Sequence, residues 1–382
     1  MALSLSKDFI QPANAKDIHV DGVGGVTIAD IGVDKLDALR DFYNTTMRPN
    51  YILGYQPLFS WMFKNNGGKV AVLLHDKKVI AHQGHVPIIF ANGEKEYRGF
   101  ISASTFVDAN YRRKGLMTIL RGNVQSRYEM ACSIGGSAMG VALYSSMGYK
   151  LYGDFTRRVA VVDVNRCQNI AKNYNSLVRT VEISKKSNDS IKPVEDFSRI
   201  SDQVDELVRS VFPAKTFFGV KRSAEFFDWR YSSHPVYDYQ SYGLFGFGKL
   251  KALIVFRREE IPDGDAAVIR ITELIGAKGF LNELIAGTVL NQEHSSGIGW
   301  IDFFCTNESI CNHIKESGFV DPDSLGTVLP IFCNPVDYYK TKYPVMLWAK
   351  DETIYDSLPP FQNWYLTKGD GDADRPNKLP NQ

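Results

Sequence analysis

Cysteine, net charge and long apolar runs are all scarce in this 382-residue sequence. The five cysteines are odd in number and lack C-x-x-C spacing, which predicts buried, reduced thiols and no zinc site. The formal net charge of +1 predicts no general attraction to nucleic acid, so no such partner is expected. No run approaches the roughly 18 apolar residues of a membrane-spanning helix, so no membrane insertion is expected. The first eight residues lack a basic stretch followed by an apolar core, which predicts no signal peptide and a cytoplasmic location.

The composition is that of a globular protein. Hydrophobic residues make up 44% of the chain and charged residues 23%, as is usual for chains that bury a sizeable core. Because a single core rarely grows beyond about 250–300 residues, the length predicts two domains.

Residues 107–117, with the sequence VDANYRRKGLM, are the most informative stretch. They are predicted to run from the end of a strand through a basic loop into a helix. Such a loop directs several backbone N–H groups, and the positive end of the helix dipole, toward one point. Arg112, Arg113 and Lys114 add positive charge, and Gly115 allows a close approach because it has no Cβ. The stretch therefore predicts a site for a doubly charged anion, most simply a pyrophosphate.

A second motif follows, and the two together resemble a known family. Tyr144 lies at the end of a second predicted helix, Gly148 in its C-terminal turn and Tyr149 at the start of the next strand. The order strand, R-x-x-G-x loop, helix, strand, helix, Y-x-x-x-G-[FY] resembles the GNAT superfamily of acyl-CoA N-acyltransferases. The resemblance is carried by Arg112, Gly115, Tyr144, Gly148 and Tyr149. It is specific over about residues 100–160 and diffuse before them.

The resemblance implies acyl-coenzyme A as co-substrate and no metal. It assigns the pyrophosphate to the loop and helix start, and the pantetheine arm to the edge of the preceding strand. The implied cofactor-binding residues are Phe106, Val107, Arg112, Arg113, Lys114, Gly115, Leu116, Met117 and Thr118. The family usually has Gly or Ala at the position of Met117, so the helix is expected to lie slightly further from the phosphates.

The resemblance also implies that Tyr144 is the general acid, because the family's second helix presents a phenol toward the sulfur. A phenol with a pKa of about 10 is protonated at neutral pH and can donate to a thiolate. His82 and His85 are candidate bases. They are three apart on one predicted strand, so they should face opposite sides unless a bulge at Gly84 intervenes. At most one should enter the cleft, and the alternative for each of these side chains is a structural role.

The strand that leads into the loop offers no strong base. It carries Ser102, Ser104 and Thr105 over residues 100–107, but no carboxylate. Such a base is dispensable if the acceptor amine is weakly basic, as an amine on a sugar ring is.

Internal similarity predicts that one fold is used twice. FSWMF at 59–63 resembles FDWRY at 227–231, and MGY at 147–149 matches SGF at 317–319 at almost the same separation. The second half has no R-x-x-G loop, and Glu273 would place an anion near the pyrophosphate position. Only the first half is therefore expected to bind coenzyme A.

The predicted fold class is α/β (α+β), with two GNAT-like domains, each a mixed, largely antiparallel sheet flanked by helices, the second degenerate. In the first half, a helix over 33–48 and strands over 70–74, 79–90 and 97–107 are expected. The predicted ranges are 1–161 for the domain that binds acyl-CoA, 162–196 for a polar connector, 197–350 for a domain that shapes the acceptor site, and 351–382 for a C-terminal segment.

The C-terminal segment is expected to dock, because an aromatic run at 361–365 precedes its acidic part. Asp370, Asp372 and Asp374 alternate there and precede Arg375. The pattern resembles the start of a calcium loop but lacks its later Gly and Glu, so no metal is expected. We expect one or two of these carboxylates to face the ammonium or hydroxyls of an acceptor, with Trp61 as an aromatic candidate for stacking on it. The alternatives are a solvated tail for the segment and a packed seam for Trp61.

In general similarity, the chain most resembles bacterial N-acyltransferases that modify nucleotide-linked amino sugars for surface polysaccharides such as lipopolysaccharide. This resemblance implies transfer of an acetyl or 3-hydroxybutanoyl group to the amine of a dTDP-3-amino-3,6-dideoxyhexose, by direct attack on the thioester. Three alternatives stay open: an acetyltransferase for another small amine or a protein lysine, a Fem-like peptidoglycan aminoacyl transferase, and a non-catalytic acyl-CoA sensor. The Fem-like enzyme would use aminoacyl-tRNA and would not need the R-x-x-G loop.

Overall fold

The computed structural model describes residues 15–377 apart from 174–175, 185–187, 262–265, 334–335 and 339–341. The first eight residues, on which the prediction of no signal peptide depends, lie outside this range. Within it the strands, in chain order, are β1 Lys16–Val20, β2 Gly24–Gly32, β3 Lys69–His75, β4 Lys78–Asn92, β5 Lys95–Val107, β6 Met130–Ile134, β7 Lys150–Asp154, β8 Thr156–Val161, β9 Ile191–Pro193, β10 Phe218–Val220, β11 Tyr239–Gly246, β12 Lys249–Glu260, β13 Ala267–Gly276, β14 Ile298–Cys305, β15 Phe332–Cys333, β16 Val336–Asp337, β17 Pro344–Ala349 and β18 Trp364–Tyr365.

The helices connect and flank these strands. They are α1 Leu36–Thr46, α2 Gln56–Met62, α3 Leu116–Gln125, α4 Ala138–Ser146, α5 Val164–Cys167, α6 Ser201–Val211, α7 Ala224–Phe227, α8 Lys278–Gly287, α9 Gln292–Ser295, α10 Glu308–His313 and α11 Thr353–Ser357. None of the described helices is long and apolar enough to cross a membrane. All five cysteines are buried free thiols, as predicted.

The two large sheets have the same arrangement of strand directions. The first has the order β1-β2-β3-β4-β5-β6-β17-β7, with β10 beside β4 and β18 beside β10. The second has the order β9-β11-β12-β13-β14-β8. In each, a run of antiparallel strands ends in one parallel pair, β5 with β6 or β13 with β14, and an antiparallel strand follows. This arrangement confirms the predicted fold class of two mixed, largely antiparallel sheets.

The sheets exchange one strand each, which departs from the predicted domain ranges. Strand β17 comes from the second half but pairs with β6 and β7 in the first sheet. Strand β8 comes from the first half but pairs with β14 in the second sheet. A boundary at residue 161 or 350 therefore does not follow the sheets, because hydrogen bonding rather than chain order decides which sheet completes its edge.

The predicted connector is packed rather than loose. Cys167, Leu177 and Val181 are buried, and β9 adds to the edge of the second sheet. The prediction of a connector depended on the polar composition of 162–196, in which these few apolar positions are a minority.

The first sheet is covered on both faces because its strands alternate two sets of apolar residues. Val70 and Val72 of β3 pack in the core that includes α1 and α2, whereas Ala71 and Leu73 pack in the core that includes α3. Helix α3 buries Leu116, Leu120 and Val124 at helical spacing. It ends at Gln125. Helix α4 differs, since none of its residues is buried and Met139 is 80% exposed.

Candidate functional site

The first sheet opens where β5 and β6 separate. The two strands pair only between Gly99–Ile101 and Met130–Cys132. Further along β5, the N–H of Asp108 donates to the carbonyl of Ile80 on β4, at 2.9 Å. Because N–H directions alternate along a strand, the backbone groups of Thr105 and Val107 point away from β4, into the opening. The opening therefore presents unpaired strand edge to a ligand.

A β-bulge at Ser104 lies beside the opening. The pairing of β5 with β4 shifts between Thr105–Gln83 and Ala103–Gly84, which leaves Ser104 as the extra residue. Its φ of +51° is unusual for a residue with a side chain. The extra residue is thus on β5, opposite Gly84, and not at Gly84 itself, where a bulge was the stated exception to the predicted alternation.

The loop between β5 and α3 has the geometry of an anion cradle. Arg113 and Gly115 both have positive φ, at +64° and +70°, and Gly115 is the N-cap of α3. No hydrogen bond joins the backbone N–H groups of residues 113–118 to another described residue. Free N–H groups at the start of a ten-residue helix are the features that bind phosphates.

The side chains of the loop leave its centre accessible. Arg112 Nε donates to the carbonyl of Val107 at 3.2 Å, and Lys114 Nζ donates to the carbonyl of Gly22 at 2.9 Å. Arg113 and Thr118 are exposed. Leu116 and Met117 are buried in the core beneath α3, so the departure at Met117 places no side chain over the loop.

Tyr144 lies on the α3 side of the bulge, in a chain of hydrogen bonds. Arg121 Nη2 donates to the Tyr144 hydroxyl at 2.7 Å, and the two hydroxyls of Tyr144 and Thr105 are 3.2 Å apart. Thr105 in turn donates to Gln83 Oε1 at 3.0 Å. Because Arg121 uses a lone pair of the phenol and Thr105 gives its own proton to Gln83, the phenol donates its proton to the Thr105 hydroxyl on β5.

Arg121 is the functional candidate that the sequence analysis missed. Its guanidinium is fully buried, stacks on the Tyr144 ring at 4.5 Å and also donates to Tyr149 at 2.9 Å. Among the described residues no carboxylate pairs with it, and its Nε has no partner. The sequence did indicate this residue, because Arg121 falls between Met117 and Val124 on the apolar face of α3, where a charged side chain is unusual.

His82 is unsuited to its predicted role as a base. It is buried on the α1 side, where its Nδ1 donates to the Ser104 carbonyl at 2.8 Å and its Nε2 accepts from Tyr43 at 3.0 Å. Burial lowers the pKa of His82 to about 3, although the bond to Ser104 favours the protonated form. Both ring nitrogens are occupied, so His82 has no lone pair for an incoming proton.

His85 is unsuited for a different reason. It is on the opposite face from His82, as predicted, with its ring against Phe100 and Tyr128. Burial lowers its pKa to about 4. It is therefore a neutral residue of the core beneath α3 and does not reach the opening.

The C-terminal segment folds back to the site, but its aspartates have different surroundings. Asp370 accepts from Arg222 Nη2 at 2.9 Å, and Asp374 accepts from Arg257 Nη2 at 2.7 Å. Both carboxylates are buried. This corrects the expectation that Asp370 and Asp374 face an acceptor, because buried arginines already neutralise them.

Asp372 and Arg375 reach the bulge itself. Asp372 Oδ2 accepts from the Ser104 N–H at 3.1 Å and lies 3.3 Å from its hydroxyl. Arg375 Nη1 donates to the same hydroxyl at 2.8 Å, and its guanidinium lies 5.3 Å from the centre of the Tyr51 ring. Phe106 packs its ring against Tyr51 from the strand.

Trp61 is a seam residue and not a free stacking surface. It is buried, its indole stacks on Trp229, and its Nε1 donates to the Trp229 carbonyl at 2.7 Å. Arg230 lies over the same ring at 5.0 Å. Trp229, His234 and Arg230 all contact the indole, which favours the alternative of a packed seam over stacking of Trp61 on an acceptor.

The second sheet has a corresponding opening that the chain itself fills. Strands β13 and β14 pair from Ala267 to Ile271, and the segment from β18 onward lies beyond, with Thr306 N–H donating to the Leu366 carbonyl at 3.0 Å. Glu273 does not face a pyrophosphate position, contrary to the earlier argument. It is fully buried, where Tyr231 and Tyr365 each donate to it at 2.8 Å.

Two cavities differ in their relation to this site. One of about 190 Å³ lies on the α1 side near the bulge, where the Tyr51 hydroxyl is 3.4 Å from Ser104 Oγ. Its lining is polar and aromatic, and consists of Arg40, Tyr43, Asn44, Asn50, Tyr51, Ile52, Gly54 and Tyr55. A larger cavity of about 680 Å³ lies between the connector and β14, and no predicted site residue lines it. In the described part of the chain no cluster of His, Cys, Asp and Glu has the form of a metal site.

Comparison with known proteins gives structural neighbours only. No protein-family model matches the chain, and no curated protein sequence matches it significantly. A GCN5-related N-acetyltransferase from Anabaena variabilis has a TM-score of 0.53 at 14% identity, covering 85% of this chain and 73% of its own. A probable N-acyltransferase of unknown function from Enterococcus faecalis has a TM-score of 0.54 at 12% identity, covering 85% and 72%.

A third neighbour is the N-myristoyltransferase of Saccharomyces cerevisiae with bound myristoyl-CoA. Its TM-score is 0.55 at 12% identity, and the alignment covers 90% of this chain and 82% of that one. At these identities the likeness concerns the fold. The chain therefore has a GNAT-like fold.

Proposed function

We propose that this protein is an acyl-CoA-dependent N-acyltransferase whose acceptor is a nucleotide-linked amino sugar. One observation carries the proposal: a loop of free backbone N–H groups, an open strand edge and a phenol lie along the same strand, β5, and its connection to α3. Each is a requirement of acyl transfer from a thioester, since the donor must be anchored, its carbonyl polarised and its thiolate protonated.

The first half would hold the donor. The N–H groups of residues 113–118 suit the pyrophosphate, with Arg112 and Arg113 adding positive charge. The outward-facing backbone groups of Thr105 and the N–H of Val107, whose carbonyl accepts from Arg112, suit the amides of the pantetheine arm. One structural neighbour, matched in two structures with bound myristoyl-CoA, supports acyl-CoA as the co-substrate. The exposed apolar surface of α4 would then be partly covered.

Bound acyl-CoA supplies the thioester on which the chain acts. The Thr105 N–H is directed into the opening beside the bulge and would polarise a carbonyl oxygen there. Tyr144 would give its proton to the thiolate as the C–S bond breaks. Arg121 would hold the phenol in place and stand beside the phenolate that forms, because its guanidinium donates to that oxygen.

The α1 side of the bulge suits the acceptor. The amine would approach the thioester carbon from the face of the opening opposite Tyr144, so that the nucleophile and the acid reach that carbon from different sides. The 190 Å³ cavity beside Tyr51 offers aromatic faces and amide groups, which are the usual partners of sugar rings. The choice of a dTDP-3-amino-3,6-dideoxyhexose, an acetyl or 3-hydroxybutanoyl donor, and a cytoplasmic role in surface polysaccharide synthesis rests on the sequence resemblance.

The test combines two measurements on the full chain. Release of thiol from acetyl-CoA or 3-hydroxybutanoyl-CoA is followed with a disulfide dye in the presence of nucleotide-linked amino sugars and simple amines. Mass spectrometry of the same mixtures should reveal one acylated product that carries a new amide. Acylation of a protein lysine or a simple amine in preference to the sugars would overturn the acceptor assignment. Binding of acyl-CoA without thiol release for any amine would make the protein a sensor.

A further inference from the structure

We propose that Asp372 is the carboxylate that receives the acceptor's ammonium group, and that Asp370 and Asp374 are the anchors that position it. The inference rests on the proposed function and supplies the base that β5 lacks. It divides three aspartates that look equivalent in sequence into one group at the reaction centre and two that are structural.

The two outer aspartates fix the segment to the second half. Arg222 pairs with Asp370, and Arg257 pairs with Asp374, which also accepts from Tyr239 at 2.7 Å. Burial by itself raises the pKa of Asp374, but Arg257 outweighs it and the pKa is lowered overall. Asp374 therefore stays ionised, and because both outer carboxylates are buried against arginines, neither is available to a ligand.

Two glycines bring the segment close to both halves. A Cβ on Gly369 would lie 2.1 Å from the Tyr231 hydroxyl of the second half, and one on Gly371 would lie 2.7 Å from Ile101 of β5. Any other residue type would force these neighbouring side chains to move. The segment is thereby held between the halves, and the side chain of Asp372 is directed to the bulge.

The Asp372 carboxylate can accept a further hydrogen bond from a ligand. Its Oδ2 contacts Ser104, and Arg375 Nε is 3.7 Å away, too far for a hydrogen bond. The other carboxylate oxygen accepts no hydrogen bond from a described residue, and the side chain is 18% exposed. The other titratable or charged groups on this side are Tyr43, Tyr51 and His82 together with the cations Arg375 and Arg48, which both lie over the Tyr51 ring.

The neighbouring groups make Asp372 the proton acceptor of this site. His82 is neutral with both nitrogens bonded, and Tyr43 and Tyr51 are phenols. An ammonium ion at the bulge would thus meet one anion. Asp372 takes one proton from the ammonium, and the neutral nitrogen forms the N–C bond as the C–S bond breaks. The second proton leaves with amide formation and restores the one that Tyr144 gives to the thiolate, through solvent.

The test uses Asp372→Asn, which keeps the shape and the acceptor for the Ser104 N–H but removes the charge. Its kcat/KM for the amine at neutral pH should fall by roughly a hundredfold, with acyl-CoA affinity within about twofold. Activity should recover as the pH approaches the pKa of the amine, because neutral amine then needs no base. Asp202→Asn, an exposed change in α6, is the matched control and should leave all values unaltered.

A binding measurement separates this inference from the proposed function. By calorimetry, the unaltered chain should bind dTDP-3-amino-3,6-dideoxyhexose more tightly than dTDP-6-deoxyhexose of the same configuration, and Asp372→Asn should lose that preference. An unchanged preference and pH profile in the variant would overturn the inference while acyl transfer stands. Tighter binding of acyl-CoA by Asp372→Asn, with unaltered kinetics for the amine, would also overturn the inference. It would mean that Asp372 only occupies the opening and competes with acyl-CoA. If the proposed function itself is wrong, the unaltered chain will release no thiol from acyl-CoA with any amine.

Discussion

Trp61 and Trp229 donate their indole N–H groups to each other's backbone carbonyl oxygens, at 2.7 and 3.1 Å. Their rings stack with centroids 5.6 Å apart. A reciprocal contact of this kind is the mark of two-fold symmetry at an interface. The pair is separated by 168 residues, and the same separation relates the bulge at Ser104 to a bulge at Thr272 on β13. The two halves therefore meet across an approximate two-fold axis.

Each tryptophan of this pair should contribute similarly to stability. Trp61→Phe and Trp229→Phe each remove one part-buried hydrogen bond across the seam, so each should lower the free energy of unfolding by about 1 kcal/mol. The double variant should lose less than the sum, because both changes affect one contact. Urea denaturation measures these values, with Trp348→Phe outside the seam as control. Strict additivity would contradict a shared contact.

Tyr144 and Arg121 should act as a unit in catalysis. Tyr144→Phe should lower kcat by roughly ten- to a thousandfold with acyl-CoA affinity almost intact, because only proton donation is lost. Arg121→Met should lower kcat by roughly tenfold or more, since the phenol loses its fixed donor. In the double variant the second change should add little. Steady-state kinetics and acyl-CoA titration give both readouts, and loss of acyl-CoA binding in Tyr144→Phe would indicate a structural tyrosine.

Gly115 should be required for the cradle, and Gly122 of the same helix provides the comparison. At Gly115 a φ of +70° disfavours any Cβ by about 1 kcal/mol or more, so Gly115→Ala should weaken acyl-CoA binding several-fold. Gly122 is helical, with nothing within 4 Å of an added Cβ. Gly122→Ala should therefore leave affinity unaltered and raise stability by up to about 1 kcal/mol. Equal effects of the two changes on affinity would argue against the cradle.

His85 should make stability depend on pH in the acid range. Its pKa is about 4 in the native state against about 6.5 when unfolded, because burial disfavours the charged ring. Between these values the unfolded chain binds a proton that the native chain does not, so the free energy of unfolding falls as the pH falls. The slope is at most about 1.4 kcal/mol per pH unit for one group. His85→Leu should reduce the dependence of the free energy of unfolding on pH between pH 6.5 and 4. His19→Gln, a change at an exposed histidine, is the control and should leave that dependence unchanged.

The loop and the strands of the first half were predictable because their signals are local. Arg112 to Gly115 indicate a helix start within a few residues, and β3 to β5 are apolar runs separated by tight turns at 76–78 and 92–94. The bulge at Ser104 was not predictable, because it depends on how β5 pairs with β4. Arg121 was predictable in principle as a cation on an apolar helix face.

The partners of the C-terminal aspartates could not be read from the sequence. Arg222 lies 148 residues before Asp370, and Arg257 lies 117 before Asp374. No periodicity or spacing links residues that far apart. Glu273 was misjudged for the same reason, since its partners Tyr231 and Tyr365 come from distant segments. The roles of Tyr144 and of the loop residues stay predictions.

The exchange of β8 and β17 has a consequence for how the protein unfolds. Removing either half would leave the other sheet without the strand beside its parallel pair, exposing backbone groups that pair at β6 or β14. Neither half can therefore melt alone at low cost. A ligand bound at Gly115 would raise the melting temperature of the whole chain in a single transition, including the second sheet that it never touches.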